Sequence, residues 1–401
     1  MKMKNKEMNS IEYPEIFLAI DNCFASKRYT EPDDWLNVVR DLGLNYVEAS
    51  ADTECDPLYQ GIDYIRRWTD KVQKASAKTQ VKVCNLYSGH GTYFTLGLGH
   101  NDPQVRERML NMWLKPMVET AATLDAGLGF FCHAFSNVVL QDPDIYWEHH
   151  REIIRNLAIL ADFAHTSGCK SIGLEQMYSP HQVPWTIRGS RELISQVAEK
   201  SKNPFYLTID TGHQSGQQNF LRPSKKTLID ALQKSQREEM NDRLWLGPDS
   251  AWQMFDGSKK LLGKELEDLA GEIMKEMDKY PYLFAEAPDS SPYTWLEELA
   301  CFSPIIHLQQ TDGYSSSHWP FTTSNNQKGI IAGGRVMEAI RKSFEKKQDI
   351  PVPKVDRIYM TIEVFAPTAG VNYYTVKELK ESVRYWRQFV PEDGVKLNLL
   401  H

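Results

Sequence analysis

The chain carries little that would tie it to a membrane, a secretory route or a nucleic acid. None of its 401 residues falls in an apolar run approaching the roughly 18 positions that span a bilayer. The opening stretch, MKMKNKEMNSIEYPE, has lysines but no apolar core, which excludes a secretory signal. Its six cysteines (Cys23, Cys55, Cys84, Cys132, Cys169 and Cys301) are dispersed and include no C-x-x-C pair. That excludes a zinc ribbon, gives no support to a disulfide scaffold, and predicts reduced thiols in a cytoplasmic protein. Net charge is −7, whereas binding a phosphate backbone wants a basic face. There is no G-x-G-x-x-G fingerprint, no Walker loop and no G-x-S-x-G elbow.

What is present is repetition. Eight short apolar runs alternate with longer helical patterns, the signature of a parallel sheet with crossover helices. The runs are EIFLAID (15–21), YVEAS (46–50), VKVCNLY (81–87), LGFFCHAF (128–135), SIGLEQM (171–177), FYLTID (205–210), PIIHLQQ (304–310) and RIYMTIEVF (357–365). Helix signals stand between them. Asp102-Pro103 reads as an N-cap with a first-turn proline, and Ile145 to Ala164 carries one apolar stripe ending at Gly168. Thr375-x-x-Glu378 reads as a capping box before the last helix. The pattern predicts an α/β fold, a (β/α)8 barrel, over a doubly wound open sheet. Residues 1–14 form an N-terminal extension, 15–213 carry strands one to six, and 303–401 hold the last two strands and the closing helix. Between them, 214–302 is a charged, tryptophan-bearing helical insertion, expected to cap the carboxyl ends of the strands.

Alternation along each strand then sorts the side chains. Glu175 lies opposite Ile172 and Leu174, and Asp210 opposite Leu207 and Ile209. His307 lies opposite Ile306 and Leu308, and Glu363 opposite Met360 and Ile362. Taken singly, a strand-end carboxylate is more often a helix cap or ion-pair partner. Four such groups in phase on successive strands are different, because inward carboxylates repel one another and need compensation. A divalent cation supplies it. The oxygen-rich set suits Mn²⁺ best, with Mg²⁺, Co²⁺ or Zn²⁺ as alternatives.

The segments LEQM, IDTGH, IIHLQQ and TIEVF resemble the metal-site strands of the xylose isomerase-like barrel superfamily, which includes ketose 3-epimerases, sugar isomerases and abasic-site endonucleases. The likeness runs from about residue 15 to 390 and is firmest over 171–365. It implies metal binding by Glu175, Asp210, His307 and Glu363, acid/base roles for the two glutamates, and a substrate contact from His213. Two departures stand out: the long insertion, and Gln309 where relatives carry a second histidine. Further candidate substrate contacts are Glu48, His90, His133 and His318, each with a structural reading beside the functional one. Arg222 and Lys328 are candidates for an anionic group.

These residues point to an isomerase or epimerase of a ketose, a ketose phosphate or a sugar acid. It would remove a proton beside a carbonyl through an enediolate. A metal-dependent lyase shares that first intermediate and is the alternative. An abasic-site endonuclease fits the acidic composition poorly, and a non-catalytic sugar-binding barrel would not need the full ligand set. The expected partner is a small sugar, with tryptophans in the insertion available for a homo-oligomer.

Overall fold

The computed structural model describes residues 11–50, 55–88, 96–132, 135–235, 244–258, 261 and 263–400. Eight parallel strands follow one another around a closed barrel. They are β1 (Glu15–Asp21), β2 (Tyr46–Ser50), β3 (Lys82–Ser88), β4 (Gly127–Phe130), β5 (Ile172–Glu175), β6 (Tyr206–Asp210), β7 (Ile305–Leu308) and β8 (Arg357–Ile362). Pairing of β1 with both β2 and β8 closes the ring, and a two-residue strand β9 (Val395–Lys396) adds antiparallel to the start of β1. This is the expected (β/α)8 barrel rather than an open sheet.

Four strands, β4, β5, β7 and β8, end sooner than their apolar runs. LGFFCHAF contributes only its first three residues, Leu128 to Phe130, and PIIHLQQ only Ile305–Leu308. Apolar character persists past the rim because the outgoing loops are themselves packed: Phe131, Phe135 and Phe321 are buried. Inside the barrel the two ends differ. At the amino end, Phe17, Tyr46 and Tyr359 form a ring cluster with centroids 5.0 to 5.3 Å apart. Above it the inward positions turn polar. Gly129 of β4 makes room there, because a Cβ would lie 3.1 Å from Asn85 Nδ2 and 3.2 Å from the Tyr87 ring. The missing side chain lets Tyr87 cross the barrel toward β5.

The outer helices bury apolar stripes against the strands. Pro32–Asp41 and Ile62–Thr79 meet through Trp35 and Trp68, both almost fully buried. The Asp102 and Gly168 signals operate as expected: Asp102 accepts from Gln104 N–H, and Gly168 closes Pro143–Ser167 at φ +77°. The Thr375 capping box does not form. The helix begins at Asn372, with Val371 as N-cap, so Thr375 lies one turn inside and its hydroxyl donates to the Val371 carbonyl. The helix starts earlier than the local motif suggests.

The segment between β6 and β7 divides in two. Lys225–Ser235, Asp249–Asp256 and Lys264–Met277 pack on one another. Just after them, Tyr282 stacks on Tyr146 of the helix Pro143–Ser167 at 3.6 Å and donates to the Leu140 carbonyl in the segment after β4. Pro292–Leu299 instead joins the outer ring, between Ile187–Ser201 and Gly333–Glu345. Its Trp295 is fully buried, a side chain whose truncation costs roughly 3–5 kcal/mol.

Candidate active site

The inward side chains at the carboxyl ends of β2, β3, β5, β6, β7 and β8 meet above the aromatic floor. His307 is at their centre. Its Nδ1 lies 2.9 Å from Glu175 Oε1 and 3.5 Å from Glu363 Oε2, while Nε2 lies 2.7 Å from Glu48 Oε2. The second Glu48 oxygen accepts from Asn85 Nδ2 at 2.6 Å. Asn85 reaches it because the β2–β3 register slips between Val47 and Glu48, leaving Cys84 as an extra residue on β3. On β5, Glu175 Oε2 accepts a hydrogen bond from the Tyr87 hydroxyl.

Asp210 closes β6. Its Oδ1 accepts from the backbone N–H groups of Gly212 (2.6 Å) and His213 (3.1 Å) and from Gln309 Nε2 (2.8 Å). The turn TGH therefore folds back onto the carboxylate that precedes it. His213 Nδ1 donates to the Gln176 carbonyl at 2.8 Å, which leaves Nε2 as an acceptor. From the loop after β7, His318 lies 3.4 Å from Glu363 Oε2 and adopts φ +47°, a region costly for any residue with a Cβ. Its N–H donates to Gln309 Oε1 at 2.7 Å. Gln309 thus ties the carboxyl end of β6 to the His318 loop.

Electrostatics mark the cluster as short of positive charge. Burial lifts the Glu363 carboxyl well above its usual range, and Asp210 and Glu175 add to this against the pull of His307. Burial opposes a charged ring at His307, yet Glu363 and Glu48 hold its pKa well above the usual histidine value. For Asp210 burial would also raise the value, but His213, His318 and His307 keep it well below the ordinary carboxylate range.

One ligand atom from each of Glu175, Asp210, His307 and Glu363 lies within 4.8 Å of all the others, and all four residues are buried. Glu363 Oε2 is buried and makes no hydrogen bond. Three carboxylates and an imidazole this close, one with an orphaned oxygen, are a donor set that could hold a divalent cation. A second trio, Asp210, His213 and His318, is similarly spaced.

The structure thus brings together Glu175, Asp210, His307, Glu363, His213 and His318. Glu48 is fully buried behind the His307 ring, with both oxygens bonded to protein groups rather than open to a ligand. His90 and His133 lie outside the described residues. Arg222 is spent on Asp278 (2.6 Å), and Lys328 sits over the Trp319 ring. Tyr87 and Asn85 were not singled out from sequence, although their shared parity in VKVCNLY was the available signal.

Residues 36–246, just over half the chain, match the family model described as xylose isomerase-like TIM barrel. The chain belongs to that family. Within it, the fold is similar to a candidate xylose isomerase from Rhodospirillum rubrum, with a TM-score of 0.65 at 18% identity, covering 93% of this chain and 98% of that one. It is also similar to a D-psicose 3-epimerase from Clostridium cellulolyticum, solved with D-tagatose (TM-score 0.51, 11% identity, 93% and 98% covered). An L-ribulose 3-epimerase gives a TM-score of 0.51 at 13% identity, with 94% and 93% covered. No curated protein sequence matches. Among the described residues, no helix is long and apolar enough to cross a membrane.

Proposed function

We propose that this member of the xylose isomerase-like family is a divalent-metal-dependent isomerase or epimerase of a ketose-type sugar. The observation that carries the reading is the convergence of Glu175, Asp210, His307 and Glu363 within 4.8 Å, with Glu363 Oε2 orphaned. These four side chains would hold the cation, with Mn²⁺ the best match to an oxygen-rich set. When bound, it would supply Lewis-acid polarisation of the substrate's carbonyl oxygen.

The chain's own groups do the rest. Glu175 and Glu363 come from different walls of the barrel, β5 and β8, so they address a bound carbon from two directions. One removes the proton beside the carbonyl and the other delivers a proton to the adjacent or inverted carbon. Tyr87 holds the Glu175 carboxylate in one orientation by its hydroxyl. Glu48, bonded to His307 Nε2, fixes that ring so that Nδ1 faces the cluster. His213 presents Nε2 to a substrate hydroxyl, because its other nitrogen is committed to Gln176. The turn TGH and Gln309 keep Asp210 in place.

Two measurements test this. Purified protein should carry about one divalent ion per chain, lose activity on chelation and regain it with Mn²⁺. Incubation with ketoses in deuterium oxide should place deuterium on the carbon beside the carbonyl. A chain that binds no metal and catalyses no exchange on any sugar would refute the proposal.

A further inference from the structure

On the outer wall of the barrel, the helices Pro143–Ser167 and Ile187–Ser201 and residues 281–298 leave an open groove of about 790 Å³. That lies within the roughly 300–1,000 Å³ that small-molecule sites occupy. No described inward group of the strands lines it. One wall is made by Tyr146, Trp147 and His150, neighbours on the first turns of their helix. Facing them is the stripe Arg188, Glu192, Gln196 and Glu199 along Ile187–Ser201. Tyr282 closes a third side, its ring stacked on Tyr146.

Two polar groups of the first wall have no hydrogen-bond partner among the described residues. Tyr146 is only 4% exposed, yet its hydroxyl bonds to nothing there. Burial, with the Glu192 carboxylate adding to it, raises the pKa of that hydroxyl well above the usual tyrosine value, so it stays a donor. A hydroxyl buried without a partner costs free energy that a ligand oxygen would return. His150 is half-buried. Burial lowers its pKa against the pull of Glu192, so at neutral pH the ring offers one donor and one acceptor nitrogen. Beside them Trp147 is 39% exposed and stands at 81° to Tyr146 and 82° to Tyr282. The negative face of an exposed indole attracts the weakly positive C–H bonds of a saturated ring.

The charges of the groove are already matched. Arg188 pairs with Glu192 at 2.8 Å, and Arg191 pairs with Asp349 and, at 3.8 Å, with Glu298. Asp289 accepts from the N–H groups of Ile187 and Glu286. No unpaired arginine is left among the described lining residues for an anionic ligand. Glu199 and Glu286 are exposed, where solvent screens them.

We propose that this groove is a second binding site, for a saccharide held by stacking on Trp147 and by hydrogen bonds to Tyr146 and His150. A donor, a donor–acceptor ring and an aromatic face, fixed side by side on one helix, match the hydroxyls and C–H bonds that alternate around such a ligand. The ligand is neutral because the groove spends its charges internally. Its site is on the outer wall, so it binds with or without a cation in the mouth of the barrel.

Groove and mouth are separated by stripping the metal and by single substitutions. Tryptophan fluorescence and titration calorimetry on the full chain, treated with a chelator, would use a neutral disaccharide, a ketohexose, spermidine, inorganic phosphate and adenosine as probes. The expected result is saturable binding of a saccharide and of none of the other three. Trp147→Ala should weaken that binding at least about tenfold. Tyr146→Phe, which removes one hydrogen bond to a neutral partner, should weaken it about 2–10-fold. It should not lower the melting temperature, because the hydroxyl it removes has no partner in the protein. Both variants should keep the deuterium exchange of the metal-loaded chain. Saccharide binding undiminished in Trp147→Ala overturns the inference, as does tighter binding of spermidine, phosphate or adenosine, or no saccharide binding at all. Exchange lost together with saccharide binding in Trp147→Ala overturns it too, because the indole would then serve the mouth. Binding that depends on Trp147 in a chain without exchange on any sugar supports the groove site while refuting the isomerase reading.

Discussion

One barrel interior holds two unlike regions. Its amino end is filled by Phe17, Tyr46 and Tyr359, rings in mutual contact that carry no charge. Its carboxyl end holds Glu48, Glu175, Asp210, His307 and Glu363, all buried and all ionisable. The same inward face builds both, since Tyr359 and Glu363 share one face of β8 and the residue that follows it, as Tyr46 and Glu48 share one face of β2. Burial favours the first region and penalises the second. The comparison teaches that the floor contributes stability, while the charged end is tolerated on top of it.

The contrast can be broken most severely at Glu363. Glu363→Gln should cut deuterium exchange by about 10²–10⁴-fold, the usual worth of a positioned proton-transfer group. It should leave the metal-free melting temperature equal or higher, because it removes a carboxyl crowded by Asp210 and Glu175. A large drop in that melting temperature would make Glu363 a structural residue. Phe17→Ala is the mirror experiment. It should destabilise by about 3–5 kcal/mol in denaturant titrations and leave Mn²⁺ affinity unchanged. Tyr87→Phe is a subtler change. Loss of one hydrogen bond to a carboxylate, worth about 1.5–3 kcal/mol, should lower kcat while the fold persists.

The smallest effect lies at Asp393, near the floor, which accepts from Leu18 N–H, Asn45 and Arg387. Burial would raise its pKa, but the Arg387 hydrogen bond lowers it below the usual value. Its contribution is therefore present above the unfolded aspartate value and lost as pH falls through the lower folded one. Asp393→Asn should flatten that acid limb of stability without altering exchange at neutral pH.

Much of this was legible in the chain. Strand periodicity located every barrel strand, and parity put Glu175, Asp210, His307 and Glu363 on inward faces before any contact was known. The link from Glu48 to His307 was not legible, because it spans 259 positions and crosses from β2 to β7. Nor was Asn85 as its second partner, since a one-residue slip at Cys84 sets that contact. Tyr87 reaches Glu175 only because Gly129, on another strand, leaves a gap. Thr375 misled for the opposite reason: a sound local motif was overridden by a helix that starts at Asn372.

By itself the sequence determined which side chains alternate inward along each strand, since the two-residue period is a property of the extended backbone. It also determined that along β1, β2, β6 and β8 those same-parity groups change from aromatic to acidic toward the carboxyl end. Only the tertiary structure decided which of them meet. Distances across a closed barrel depend on ring closure and on register between strands far apart in the chain, and no local pattern encodes either.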